Sequence, residues 1–173
     1  MVGEIIYDRE TIAYYSKERE DENDAFREFL FYRDGVETDK YVHDLNKNIS
    51  TLIDCTSCGA CCKNLMINVE EGEIKPVADH IGINETIFKE NFVEESQGGN
   101  MIMNTIPCHF LEDSKCRVYE NRFNECREFP HLHKSNFKGR LFATLMHYGM
   151  CPIIFNVVEE LKIKTGFKAS SIQ

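Results

Sequence analysis

Residues 55–62 read CTSCGACC and place four of the chain's eight cysteines within one short stretch. Thiols this crowded oxidise and cross-link unless something holds them, so the run restricts the chain to folds built around it. Cys55, Cys58 and Cys61 follow the pattern C-x2-C-G-x-C. That spacing lets one loop turn its sulfurs inward on a common centre, as a tetrahedral zinc or an iron–sulfur cluster requires. Gly59 suits the tight, irregular backbone of such a loop, because a residue without Cβ tolerates a positive φ. Thiolates are soft ligands that select zinc, copper(I) or iron–sulfur over magnesium or calcium. Neighbouring side chains point to opposite sides of a strand and well apart around a helix, so one centre has difficulty using both Cys61 and Cys62. Either Cys62 belongs to a second site, or it stands beside the first as a redox or resolving thiol.

Disulfides are the competing use of eight cysteines. The N-terminal MVGEIIYDRETIAYY is charged early and lacks the apolar region and small-residue cleavage site of a signal peptide. No run approaches the roughly 18 consecutive apolar residues of a transmembrane helix. The expected location is therefore the reducing cytoplasm, where clustered cysteines indicate metal or redox chemistry more than a disulfide framework. A net charge of -9 argues against nucleic acid or an anionic membrane as the partner, and leaves open a protein partner besides the metal ion or cluster.

The other four cysteines are Cys108, Cys116, Cys126 and Cys151. The first three lie in PCHFLEDSKCRVYENRFNECREFP, residues 107–130, interleaved with Arg117, Arg122 and Arg127. Four thiolates around a divalent ion leave a net charge of about -2, which nearby arginines would offset while donating hydrogen bonds to sulfur. The same arginines could instead pair with Glu120, Glu125 and Glu128 along helix faces. Cys151-Pro152 supplies a distant Cys-Pro, in partial likeness to the bacterial ferredoxin run, whose own Cys-Pro is close by. One assignment groups Cys55, Cys58, Cys61 and Cys151 as the cluster-binding set, with Cys62, Cys108, Cys116 and Cys126 completing another site. Among the histidines, His131-x-His133 and His147-x3-Cys151 are each spaced so that the pair could share a metal, His147 being the strongest candidate, whereas His43 and His80 read as structural.

Along the chain, Phe26, Phe29 and Leu30 suggest a helix with a mobile acidic segment around SKEREDEND. Val42, Leu45, Ile49, Leu52 and Ile53 recur at helical spacing and deliver the chain to Cys55. LMINV (65–69) reads as a strand. Pro76 is expected only near the first turn of the helix bearing Ile74, Val77 and Ala78. Asn84 is a candidate N-cap, Gly98-Gly99 a turn before an extended stretch, and 112–115 a loop. YENRFNEC reads as a helix, Lys138-Gly139 as a hairpin turn, and Pro152 as the start of a last helix that Gly166 stops. The expected class is α+β: a small, mainly helical single domain with a few short strands, organised around a cysteine-ligated metal centre. Its expected divisions are a charged helical extension (1–54), the cysteine-cluster domain (55–152) and a C-terminal helix packing on it (153–173).

Taken in order, CTSCGACC, PCHFL, CRVYENR, CREFP and a final CP resemble the YkgJ-type CxxCxxCC family of zinc- or iron-chelating proteins. The resemblance covers residues 55 to 152 and implies a metal-centre role for Cys55, Cys58, Cys61, Cys62, Cys108, Cys116, Cys126 and Cys151. Phe123 departs from it, since the family usually has proline after the arginine. The cysteine region is also similar to that of flagellin lysine methylases, which implies an enzymatic alternative. The radical-SAM spacing C-x3-C-x2-C is absent, however, and so is a glycine-rich nucleotide loop. Three functions follow as expectations. The first is a cytoplasmic protein whose cysteines hold an iron–sulfur cluster, [4Fe–4S] in type. The second is a Zn2+ protein with structural thiolate sites acting as an interaction module, and the third is an iron–sulfur enzyme.

Overall fold

The computed structural model describes residues 3–169. Its helices in chain order begin with α1 (Arg9–Glu18), α2 (Glu20–Phe31) and α3 (Gly35–Ser50), then the short α4 (Cys55–Cys58) and α5 (Ala60–Asn64). After α6 (Glu71–Ile81) and α7 (Glu85–Phe92) come strands β1 (Val93–Glu95), β2 (Met101–Met103), β3 (Leu111–Glu112) and β4 (Lys115–Cys116). A 3-10 turn (Tyr119–Asn121) precedes α8 (Asn124–Glu128), α9 (Phe137–Leu145) and α10 (Pro152–Lys164). The expected mainly helical α+β class holds: β1 pairs antiparallel with β2 and β3 with β4, and these are two-stranded sheets. Among the described residues, no helix is long and apolar enough to cross a membrane.

The chain divides into two compact units, one of residues 1–54 with 130–173 and one of residues 55–129. In the first, α10 is the central helix. Pro152 opens it, where its missing N–H costs nothing, and Pro152 through Val158 are all buried. A helix apolar nearly all round belongs inside, and α10 packs on α1 and α3 while α9 packs on α2 and α3. The acidic stretch is helical rather than mobile. It is anchored by the buried side chains Asn23, Phe26 and Leu30 of α2, and Lys162 of α10 reaches Glu22 at 2.7 Å.

The Lys138-Gly139 pair is not a turn but part of α9. Asp39 in α3 accepts the backbone N–H of Asn136 at 2.7 Å and of Phe137 at 2.8 Å, satisfying N–H groups at the start of α9 with an anion. Asn136 takes the left-handed conformation there (φ 61°), and Phe137, Leu141 and Thr144 form the buried stripe. No local signal places Asp39 at that helix end.

The second unit has its own core of Ile67, Val69, Ile74, Val77, Ala78, Phe88, Met103, Phe110, Val118 and Phe123. Fully burying each large side chain of this kind contributes about 1.5–3 kcal/mol. Helix α6 begins with a reciprocal capping box between Glu70 and Glu73. Pro76 therefore falls in the helix interior, beyond the first turn where it was expected. Asn84 caps α7 as expected, its Oδ1 accepting the Ile87 N–H at 2.9 Å. The strand read in LMINV shrinks to one bridge, Asn68 to Ile102, flanked by Val69 N–H to Met101 and Met103 N–H to Ile67. The stretch 112–115 is the tip of the β3–β4 hairpin, with Asp113 and Ser114 at φ 47° and 66°, the positive values a tight hairpin turn demands. The helix read across YENRFNEC is broken at Arg122 and Phe123, which are extended (ψ 149° and 153°).

Candidate metal centre

The CTSCGACC run folds as two helical turns hinged at Gly59, which sits at φ 60° as the left-handed residue before α5. An added Cβ would press on the backbone of Ser114 in the β3–β4 hairpin, so glycine is required both by conformation and by contact. Lys63 Nζ donates to Ser114 Oγ at 2.8 Å, closing the same approach from α5. The chain after Pro107 is tied in as well, because Cys108 N–H donates to the Cys62 carbonyl at 2.9 Å. Cys116 lies on β4 opposite Leu111, and Cys126 lies in α8. Cys108, Cys116 and Cys126 all pack against the core of the second unit.

These placements leave each of Cys61, Cys62, Cys108, Cys116 and Cys126 within electrostatic reach of at least one other thiol. Cys61 and Cys62 hold their Sγ atoms 3.9 Å apart, within sulfur hydrogen-bond range. That bond stabilises a Cys61 thiolate, lowering its pKa to about 7 against the opposing effect of burial. It pushes the Cys62 thiol upward in turn, helped by burial and by the charges of Cys61, Cys108 and Cys126. Burial raises Cys108, with Cys116 and Cys61 adding to it. Burial likewise raises Cys116, against which the Arg122 cation acts, while Cys61 adds to the rise. Cys126 is pushed up to about 12 by burial and then by the charges of Cys108, Cys61 and Cys116, with Arg122 offsetting part. Cys62, Cys108 and Cys126 thus each sense at least two of the other thiols, whereas Cys116 senses Cys61 and Cys61 senses its neighbour Cys62. Among the described residues, however, no three His, Cys, Asp or Glu side chains converge as a ready ligand set, so the five are neighbours rather than a closed coordination sphere.

Arg122 is the arginine that the tertiary structure brings to the thiols. It is held by a 2.7 Å bond from its guanidinium to the Tyr119 carbonyl and lies over the Tyr119 ring at 3.8 Å. Arg127 instead donates from Nε to the Arg122 carbonyl at 2.9 Å, and Arg117 faces Glu112 at 3.7 Å. Phe123 adopts φ -56°, the value proline would impose, and its ring is buried in the core. Proline's backbone and phenylalanine's packing are therefore compatible at this position.

Cys55 is exposed and Cys58 half-buried in α4. Cys151 is buried in the first unit immediately before Pro152. His147 also belongs to that unit, with its pKa lowered by burial and by the charge of His131. His80 sets Nε2 3.3 Å from the Arg117 carbonyl, and His43 lies on α3. His109, which sequence reasoning passed over, bonds Asn104 at 2.7 Å directly after Cys108.

A family model described as "Putative zinc- or iron-chelating domain" matches residues 54–144. The chain belongs to the CxxCxxCC family. The family match contains Cys55, Cys58, Cys61, Cys62, Cys108, Cys116 and Cys126, and ends before Cys151. No curated protein and no solved structure matches the chain. In this CxxCxxCC protein the donor chemistry fits the family's description. Cys61 apart, these half-buried thiols are held protonated by burial and by the charge of neighbouring thiolates, a penalty that a soft cation relieves by stabilising the thiolates it binds.

Proposed function

We propose that the protein is a cytoplasmic metal-binding protein in which Cys61, Cys62, Cys108, Cys116 and Cys126 supply the donors for an iron–sulfur cluster. The observation that carries this reading is geometric: the Cys61 and Cys62 sulfurs lie 3.9 Å apart, Cys108 is tied to Cys62 through the backbone at 2.9 Å, and Cys108, Cys116 and Cys126 pack on the one core of the second unit. Holding such thiols together costs free energy that a cationic centre would return. The C-x2-C-G-x-C loop, turned by Gly59, favours a cluster of the [4Fe–4S] kind. Arg122 would offset the charge of the thiolates. Cys55, Cys58 and Cys151 are proposed as further donors on the spacing and the resemblance alone.

Zinc is the alternative occupant that the same soft donor set admits, and it would make the region a structural clasp. Elemental analysis for iron, zinc and labile sulfide, with a visible spectrum of protein purified without oxygen, separates the two. Iron and sulfide in equal amounts with visible colour are expected. The chain has no tryptophan, so cluster absorbance stands out. Zinc in a colourless protein would replace the cluster reading, and the absence of both metals would remove it.

A further inference from the structure

Two residues that directly follow cysteines, His109 and Arg117, line a cavity of about 310 Å³ in the second unit. Its walls are otherwise largely apolar, formed by Ile83, Ile87, Phe92 and Phe110. Ile87 is 41% exposed even though α7 buries Phe88 beside it, so an apolar side chain is left facing outward at this cavity. The volume lies at the lower end of the range for ligand pockets, about 300–1,000 Å³, which favours a small molecule.

The polar groups of the cavity are committed unequally. Asn104 Nδ2 donates to the Asn91 carbonyl at 3.0 Å, which makes Oδ1 the acceptor and places a hydrogen on His109 Nε2. His109 is thereby fixed edge-on against Phe92, with ring centroids 4.9 Å apart. The backbone of Arg117 is also held, its N–H donating to the Phe110 carbonyl at 2.8 Å. Its guanidinium is held less firmly. Glu112 stands 3.7 Å away, and the two side chains are 60% and 69% exposed. An ion pair this exposed is weak and exchanges readily for another carboxylate.

We propose that this cavity binds a small monocarboxylate with a short apolar body, its carboxylate on Arg117 and its body against Ile83, Ile87, Phe92 and Phe110. A single cation at the rim matches a monoanion, and the walls match a hydrocarbon. The site uses none of the thiols and does not depend on which metal the protein holds.

The test titrates the full chain, labelled at isoleucine methyl groups, with hexanoate and separately with hexan-1-ol, followed by NMR. Saturable shifts confined to Ile81, Ile83 and Ile87 are expected, with hexanoate binding about fivefold tighter than the alcohol, the scale of one exposed ion pair. Arg117→Gln should bring the acid down to the affinity of the alcohol, and Ile87→Trp, which fills the cavity, should abolish both. Equal binding of acid and alcohol to the unaltered chain would overturn the proposal without recourse to any variant. So would shifts spread over isoleucines elsewhere, or no shifts at all.

Discussion

Gly59 and Ser114 approach so closely that a Cβ on Gly59 would lie 2.9 Å from the Ser114 carbonyl oxygen and 3.0 Å from its Cα. These two residues, far apart in sequence, set the CTSCGACC loop against the β3–β4 hairpin and so bring Cys61 towards Cys116. The obstruction is backbone, which cannot rotate away as a side chain could. Gly59→Ala should therefore cost about 1–2 kcal/mol from the left-handed conformation alone, with the contact adding to it. A lowered melting temperature together with reduced metal content is the expected result. Unchanged values of both would show that the hairpin approach is not needed.

Serine substitution tests which thiols act together. Cys61→Ser, Cys62→Ser, Cys108→Ser, Cys116→Ser and Cys126→Ser should each strip most of the metal from the purified protein. Structural thiolate sites in small domains contribute about 10–16 kcal/mol of apparent binding energy, so loss of metal should also lower the melting temperature. If Cys62→Ser alone retains full metal, Cys62 is a neighbouring thiol rather than a ligand.

Lys162 in the first unit is a buried cation with two carboxylate partners, Glu22 at 2.7 Å and Glu159 at 2.8 Å, and its side chain is 6% exposed. Removing one member of a buried ionic group leaves charge uncompensated, at a cost of about 3–5 kcal/mol. Lys162→Ala should fall in that range in denaturant unfolding. Arg19 also pairs with Glu159 and would soften the loss, so the lower end is expected.

Tyr148 predicts an alkaline limb in stability. Burial first, then the Glu159 charge and the 2.7 Å bond to Glu159 Oε1, raise its pKa above the usual tyrosine value. The folded chain therefore keeps a proton that the unfolded chain releases near pH 10, and stability falls as pH rises past that point. Below it the contribution is complete. Tyr148→Phe should flatten the decline of melting temperature between about pH 10 and 11. An equally steep decline in the variant would assign it to other groups.

Some of the fold was legible because its causes are local. Asn84 caps α7, Pro152 opens α10 and Gly166 at φ 69° follows its end, each acting within one helical turn. Other readings failed where a distant partner decided the outcome. Lys138-Gly139 looks like a turn in isolation, yet Asp39 supplies the cap that makes it helix. The hairpin at 111–116 and the break at Arg122–Phe123 were hidden for a similar reason, because packing against the unit's core selects them.

The same division runs through the candidate centre. Residue type and spacing alone determined that the chain carries soft donors in a glycine-turned loop, since ligand chemistry and the conformational freedom of Gly59 are properties of single residues and short runs. Which thiols would meet was decided only by tertiary structure. Burying Phe110, Val118 and Phe123 in one apolar core packs Cys108, Cys116 and Cys126 against it, and the backbone bond from Cys108 to Cys62 ties the CTSCGACC run to the same region. Arg122 joins them through the same folding event, and no sequence period encodes that.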